Sequence, residues 1–143
     1  MSYVDTGRPV QPKGAKTTPK PRKRIRQVSK KKAAHKASPA GQDDAAYISA
    51  LHNLPCVICD AFGEIQQSRT TVHHWFSGRC SAVRTPDRQA LPLCDGHHQA
   101  RWDKTKLAIH DGKETWADKY GNDFDYIEVT QDRMERMMEG LTP

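Results

Sequence analysis

The stretch TTVHHWFSG (residues 70–78), followed by ALPLCDGHHQARW (residues 90–102), decides how the fold of this chain is interpreted. Each segment carries an adjacent pair of histidines. The β-branched and aromatic residues around the first pair predict a strand. ALPLC predicts a second short strand or the approach to a helix, and DGHHQARWDK predicts a helix that begins near Asp95. Imidazoles bind transition metals and transfer protons near neutral pH, so the paired histidines indicate a site of that chemistry.

Two short cysteine motifs accompany the histidine pairs. Residues 56–59 read CVIC and residues 94–97 read CDGH, and these two turns offer four ligands suited to tetrahedral zinc: Cys56, Cys59, Cys94 and His97. Because the chain has little apolar content, zinc bound there would add directly to folding stability. Cys80 is an alternative to His97 as fourth ligand. Free buried cysteines and a redox-active CxxC are the alternatives to a metal site.

The remaining histidines need a second site. Successive residues of a helix point about 100° apart, so His97 can face zinc while His98 faces elsewhere. Strand alternation sends His73 and His74 to opposite faces, and both reach one site only near a strand end or a bulge. Gly78, shortly after the pair, is compatible with such an end. Three histidines that the zinc turns do not need favour catalysis over a purely structural role.

Composition bounds the class of protein. The chain has 143 residues, is 36% hydrophobic and has a mean hydropathy of −0.85, which fits one small domain plus a tail. It contains no run of eighteen apolar residues that would span a membrane, and its N-terminus lacks the apolar stretch of a signal peptide. We therefore expect an intracellular protein, whose cysteines are metal ligands or free thiols rather than disulfides.

The charge is distributed unevenly. Residues 1–42 hold twelve Lys/Arg and one acid (net +11), and residues 43–143 hold eleven Lys/Arg and sixteen acids (net −5). Pro, Gly, Lys and Ser dominate residues 1–42, so we expect this segment to be disordered. Its charge predicts binding to a polyanion, with a solubilising or nuclear-localisation role as alternatives. Its basic residues include Arg22, Lys23, Arg24, Arg26, Lys30, Lys31 and Lys32.

Further helices are predicted around the motifs. The apolar residues of YISALHNLP (residues 47–55) follow helical spacing, with Asp43 or Asp44 as the cap and Pro55 as the end. GKETWADKYG predicts a helix closed by Gly121, and TQDRMERMMEGL predicts a last helix with a methionine stripe that packs on the core. CVICDAFG predicts a tight turn, and SGRCSAVRTPDRQ predicts a long loop.

The arrangement CxxC … HH … PLCxxHH resembles the HNH (ββα-metal) endonucleases. HHWFSGRCSAVRTPDRQALPLCDGHH and IHDGKETWADKYG are similar, within that superfamily, to the phage recombination-enhancement, RecA-dependent nucleases. The resemblance covers about residues 50–121, and a basic N-terminal extension is also similar to that group. It implies an α+β fold with a zinc-stabilised ββα-metal core and flanking helices. We thus expect a disordered basic tail over 1–42 and an HNH nuclease domain over 43–143.

The resemblance also implies roles for individual residues. His73 would be the first ligand of a catalytic metal, His74 the general base, and His98 the second metal ligand. The four zinc-turn residues would hold structural zinc. His110 is a candidate third ligand of the catalytic metal, with an ordinary surface histidine as the alternative.

Two departures from the family pattern concern supporting positions. The middle Asn that gives the motif its name is absent, and Asp87 and Gln89 are the candidates for its supporting role in the loop. Some relatives carry a further His one turn after the helical ligand, where this chain has Arg101 or Trp102. Neither of these side chains ligates a metal.

The expected function is a metal-dependent DNA endonuclease that hydrolyses phosphodiester bonds with a histidine general base in phage recombination. Its cofactors would be structural Zn²⁺ and one catalytic divalent ion, Mg²⁺, Mn²⁺, Zn²⁺ or Ni²⁺. Its partners would be single- or double-stranded DNA and, by resemblance alone, a RecA filament. If it is phage-encoded, its location would be the cytoplasm of the bacterial host. The loop arginines that would contact phosphates, or else be simply solvated, are Arg79, Arg84 and Arg88.

Two functions of other classes compete with this expectation. A zinc-stabilised DNA-binding module without catalysis would need only the basic tail and the zinc turns, and it leaves the other histidines unexplained. A thiol redox protein would need a reactive CxxC at residues 56–59.

Overall fold

The computed structural model describes residues 28–77 and 85–140, which form an α+β fold as predicted. Two antiparallel strands, β1 (Thr70–His74) and β2 (Ala90–Cys94), are flanked by helices. The helices of the described residues are α1 (Lys30–Ala37), α2 (Pro39–Leu51), α3 (Val57–Ala61), α4 (Asp95–His98), α5 (Lys113–Tyr120) and α6 (Ile127–Met138). Short 3-10 turns span Asp87–Gln89 and Asp123–Tyr126. None of these helices is long and apolar enough to cross a membrane.

The two strands place the histidine pairs on defined faces. In the register of the pair, His73 lies opposite Leu91 and His74 lies opposite Ala90. Because successive side chains of a strand point to opposite faces, Thr71 shares the face of His73. α4 follows β2 without a gap, so His97 and His98 come directly after the strand.

Two apolar clusters hold the hairpin in place. One consists of Tyr47, Leu51, Leu54, Ala90 and Met134, with Val72 packed against it. The other gathers apolar residues of α3, β2 and α5, together with Cys56 before α3 and Ile109 before α5. Its members are Cys56, Val57, Ile58, Cys59, Leu91, Leu93, Cys94, Ile109, Trp116 and Tyr120. Fully burying one aliphatic or aromatic side chain stabilises a fold by roughly 1.5–3 kcal/mol. The second cluster therefore surrounds the predicted zinc ligands with packed apolar side chains.

Helix α2 begins earlier than the sequence predicts, and α1 precedes it where the sequence predicts no helix. α2 starts at Pro39, with the Ser38 side chain accepting a hydrogen bond from the Gly41 amide at 3.2 Å. A serine cap followed by proline is a favourable helix start, and it takes the place expected for Asp43 or Asp44. α1 and the start of α2 lie inside residues 1–42, the segment for which the sequence predicts disorder. α1 buries no residue, and residues 1–27 lie outside the described residues.

Helix α4 is shorter than predicted because the chain turns back after His98. The Asp95 side chain accepts hydrogen bonds from the backbone amides of Trp102 (2.7 Å) and Asp103 (2.9 Å). Ala100 adopts a left-handed conformation with φ of 48°, which ends the helical path. The helix predicted over DGHHQARWDK is therefore a single turn followed by a tight loop.

The other elements follow the sequence more closely. α5 is closed by Gly121 at φ of 85°, as predicted, since glycine adopts this conformation without a steric penalty. A helix, α3, replaces the tight turn expected at CVICDAFG. In α6, Met134 is buried and Met137 packs on the first cluster, but Met138 is 72% exposed. Leu141, expected on the same stripe, lies outside the described residues.

Candidate functional site

The four predicted zinc ligands meet in the interior. The thiols of Cys56, Cys59 and Cys94 lie 3.4, 3.6 and 3.3 Å from His97 Nδ1, and the Cys59 and Cys94 sulfurs are 3.8 Å apart. With Zn–S bonds of about 2.3 Å and Zn–N bonds of about 2.0 Å, a tetrahedral site separates its ligands by about 3.8 Å (S–S) and 3.6 Å (S–N). The arrangement therefore fits a structural metal. Cys80, the alternative fourth ligand, lies outside the described residues.

The protonation of these thiols shows what a cation would change. Burial raises the pKa of Cys59 to about 11. The hydrogen bond between Cys94 and Cys56, together with burial, raises the pKa of Cys94 to about 12. The same hydrogen bond lowers the pKa of Cys56. Without a cation the cluster therefore disfavours more than one thiolate. A bound divalent ion would reverse this preference, because thiolates are the ligand form.

Glu64 contacts the ring nitrogen of His97 that faces away from the thiols. Its Oε2 lies 3.2 Å from His97 Nε2, and its other oxygen accepts a hydrogen bond from Tyr120 Oη at 3.1 Å. A carboxylate can only accept, so His97 carries its proton on Nε2 and presents the Nδ1 lone pair to the sulfurs. A hydrogen bond from Lys106 lowers the pKa of Glu64 to about 2 and keeps it charged. Sequence reasoning missed Glu64, because only the folded chain brings residue 64 to residue 97.

A second group of possible metal ligands consists of His73, His98 and His110. One nitrogen from each ring lies within 4.8 Å of the others, and the ring centroids are 5.0–5.9 Å apart. His73 is 1% exposed and His98 7%, whereas His110 is exposed. The backbone amide of His110 donates to the His98 carbonyl at 3.2 Å, which holds the third ring beside the other two. These three rings, called here the histidine trio, thus open to solvent on one side.

Hydrogen bonds fix which nitrogens of the trio are free. Thr71 donates its hydroxyl proton to the Leu93 carbonyl (2.8 Å), so its oxygen accepts from His98 Nδ1 at 2.7 Å. His73 Nε2 lies 3.0 Å from Asp123 Oδ2 and donates to it. The lone pairs of His98 Nε2 and His73 Nδ1 are therefore the ones available to a metal.

Asp123 is fully buried and takes part in this orientation. Its carboxylate also accepts hydrogen bonds from the backbone amides of Phe76 (2.9 Å) and Ser77 (3.3 Å). Burial acts to raise its pKa, but the hydrogen bonds from His73 and the following segment prevail and lower it to about 2. Asp123 was missed in the sequence, since nothing local in GNDFDY marks it as a partner of β1.

The charge state of the trio suits a metal. Burial, followed by the charges of His73 and His110, lowers the pKa of His98 to about 3. Burial also lowers the pKa of His110, followed by the effect of His73. Arg101 adds to both decreases, so its positive charge lies close to the trio. Neutral imidazole is the form that binds a metal, and His98 is neutral at pH 7.

His74 lies on the opposite face of β1 and is not part of the trio. Its Nε2 lies 2.7 Å from Asp87 Oδ1 and donates to it, which leaves Nδ1 as a proton acceptor. The next side chain, Trp75, donates its indole N–H to Gln89 Oε1 at 3.1 Å. Both loop residues singled out in the sequence, Asp87 and Gln89, therefore contact the end of β1 or the residue after it.

The structure describes some of the predicted DNA-binding residues. Arg88 stacks over the Tyr47 ring at 5.0 Å and lies 3.9 Å from Asp44. The described lysines of the tail, Lys30, Lys31 and Lys32, are exposed on α1. The remaining candidates lie outside the described residues: Arg22, Lys23, Arg24, Arg26, Arg79 and Arg84.

Comparison with known families connects this geometry to a function. A family model described as recombination enhancement, RecA-dependent nuclease matches residues 40–135, which is 96 of the 143 residues. The matched range contains both groups of possible metal ligands, as well as His74 and Asp123. No curated protein and no solved structure matches the chain.

Proposed function

The chain belongs to the family of recombination-enhancement, RecA-dependent nucleases, and we propose that it is a metal-dependent DNA endonuclease of the HNH type. The observation that carries the proposal is the pairing of two sites across one hairpin. A zinc-type cluster and an open histidine trio share the turn of α4. A protein that only bound DNA would need the first of these and not the second.

The order of elements supports an HNH core. β1, β2 and α4 follow one another as strand, strand and helix, with His73 on the first strand and His98 on the helix. In this proposal Cys56, Cys59, Cys94 and His97 hold structural Zn²⁺, and the trio of His73, His98 and His110 holds one catalytic divalent ion.

The nucleophile is a water activated by His74, which is the last residue of β1, where side chains from both faces of the strand can border one site. The Nδ1 of this ring accepts the proton of the water, while Asp87 holds the ring and stabilises the charge it gains. A divalent ion at the trio, when bound, would neutralise charge on the phosphate and on the leaving 3′ oxygen. Three neutral imidazoles leave such an ion its full positive charge, and the solvent-facing side at His110 leaves room for a phosphate.

DNA is the proposed substrate, and the family description supplies RecA dependence and a role in recombination. The basic tail would hold DNA through its phosphates without sequence preference. Action in the cytoplasm of a bacterial host is part of the same proposal. The proposed substrate is single- or double-stranded DNA.

Cleavage of plasmid and single-stranded DNA, with and without a RecA filament and a divalent metal, tests the proposal. His74→Ala is expected to retain zinc, fold and DNA binding but to lose cleavage by roughly 10²–10⁴-fold, the usual contribution of a general base. His52→Ala is the matched control, since His52 is an exposed histidine that contacts only the Thr70 carbonyl among the hydrogen bonds found. If His74→Ala cuts DNA at the wild-type rate, a non-catalytic zinc-stabilised DNA-binding module becomes the better interpretation.

A further inference from the structure

Trp102 is the most exposed large apolar side chain among the described residues, at 87%. Tryptophan is mostly buried in folded proteins, and an indole turned into water needs an explanation. The side chain lies on the loop that follows α4, four residues after His98. The exposed indole is therefore close in the chain to the histidine trio.

The backbone that carries this indole is tightly anchored. Asp95 accepts from the amides of Trp102 and Asp103, and the Asp103 carboxylate in turn accepts from Ser68 (3.3 Å) and from the amide of Thr105 (3.0 Å). Asp103 is itself buried, at 8% exposure. The loop is thus held on both sides of Trp102, so the indole is presented by fixed backbone rather than by a loose tip.

The charges around the indole match a nucleic acid. Arg101 and Lys104 are exposed on either side of it, and Asp103 between them is turned inward. Arg101 follows His98 by three residues and begins the loop that the Asp95 carboxylate anchors. A phosphate held at the trio would therefore lie beside this arginine. Proteins that bind single-stranded nucleic acid combine positive charges that follow the backbone with aromatic side chains on which bases stack.

We propose that Trp102 is a stacking platform for an unpaired base next to the scissile phosphate, with Arg101 contacting the neighbouring phosphate. This inference rests on the proposed nuclease function and names its substrate class as single-stranded or locally unpaired DNA. The bases of an intact duplex stack on one another and leave no face for the indole. Aromatic stacking is tolerant of sequence, because every base has a π-face.

The test measures DNA binding separately from cleavage. Fluorescence anisotropy compares a labelled oligothymidylate strand with a blunt duplex, using the zinc-loaded full chain without added divalent metal. Trp102→Ala is expected to weaken binding to the single strand by roughly five- to hundredfold, as loss of one stacked base does, and to change duplex binding by less than about twofold. Trp102→Phe is expected to keep most of the affinity, because a benzene ring still stacks.

Two controls exclude trivial causes. Ile65→Ala removes another exposed apolar side chain (79% exposed) and is expected to bind both DNAs as the wild type does. The melting temperature of Trp102→Ala is expected to match the wild type, since a side chain 87% exposed contributes little packing. Quenching of tryptophan emission by the single strand is expected in the wild type and largely lost in Trp102→Phe, because Trp75 and Trp116 are both less exposed.

Several outcomes would overturn the proposal. Wild-type affinity of Trp102→Ala for the single strand, or an equal loss on strand and duplex, excludes stacking on an unpaired base. Normal DNA binding with loss of cleavage only in the presence of a RecA filament would show that the indole faces a protein. If the binding pattern holds but the wild type never cleaves DNA, the stacking site stands and the nuclease assignment fails.

Discussion

His73 Nε2 lies 3.0 Å from Asp123 Oδ2, and the two side chains are 1% and 0% exposed. The contact joins β1 to a residue fifty positions later in the chain. It fixes the proton of His73 on the nitrogen that faces away from the trio. A metal held by His73 therefore depends on a residue that would not touch it.

Substituting Asp123 should weaken the metal at the trio. Asp123→Asn keeps the shape but removes the charge, and loss of such an outer carboxylate costs about 10–100-fold in metal affinity. Titration with Mn²⁺ by calorimetry measures this, and excess metal should partly restore cleavage. Asp125→Asn, at an exposed neighbouring aspartate, is the control. Wild-type Mn²⁺ affinity in Asp123→Asn would show that this carboxylate only supports the fold.

Zinc binding should release protons and weaken in acid. The pKa of Cys59 is raised to about 11 by burial, and that of Cys94 to about 12 by its hydrogen bond with Cys56 and by burial. Both thiols are therefore protonated at pH 6–8 without metal, and at least two protons must leave when zinc binds. Apparent zinc affinity should fall about a hundredfold or more per pH unit between pH 8 and 6. Competition with a chromophoric chelator at each pH measures it, and a pH-independent affinity would exclude thiolate ligation.

Glu64→Gln should loosen the zinc without removing a ligand. The amide cannot hold His97 Nε2–H and Lys106 as the carboxylate does, so zinc affinity should fall by about 10–100-fold. Chelator competition at constant pH provides the measurement. Glu139→Gln changes an exposed carboxylate elsewhere and should leave zinc affinity unaltered. Equal zinc affinities for the two variants would mean that Glu64 serves only its ion pair with Lys106.

Asp87→Asn should impair cleavage less than His74→Ala does. The asparagine can still hold the ring, but it no longer stabilises the positive charge that His74 gains on accepting a proton. We expect a rate between that of the wild type and that of His74→Ala, with unchanged metal affinity. Cleavage rates measured across pH distinguish a change in proton transfer from a folding defect in either variant. An Asp87→Asn enzyme as fast as the wild type would remove this aspartate from the mechanism.

Deleting residues 1–37 should flatten the salt dependence of DNA binding. The deletion removes all twelve Lys/Arg of the basic segment, and each neutralised phosphate contributes about −0.9 to the slope of log K against log salt on duplex DNA. The slope should therefore decrease by several units. The fold should persist, because α1 buries no residue. Arg136→Ala, at an exposed arginine of α6, is the control, and an unchanged slope after the deletion would make the segment a spacer.

The ligand types could be predicted from the sequence because metal chemistry is local. CxxC and CxxH turns bring two ligands to one point whatever the rest of the chain does, and both turns meet as predicted. The C-terminal end of α4 could not be predicted from the sequence. The helix ends where the chain turns back, and that turn depends on the Asp95 carboxylate accepting hydrogen bonds from two later backbone amides. The roles of Glu64 and Asp123 could not be predicted for a related reason. Each orients a histidine through a contact between distant segments, which no spacing rule records.

Two neighbouring amides connect the segment that carries His110 to the turn of α4. Ile109 donates to the His97 carbonyl at 2.9 Å and His110 to the His98 carbonyl at 3.2 Å, so the segment that brings the third ring of the trio is fastened to the zinc turn. In the proposed nuclease, a chain without zinc would lack the anchor on which that segment closes. Zinc would then have to bind before the trio is complete, and a chain deprived of zinc would be expected to remain inactive.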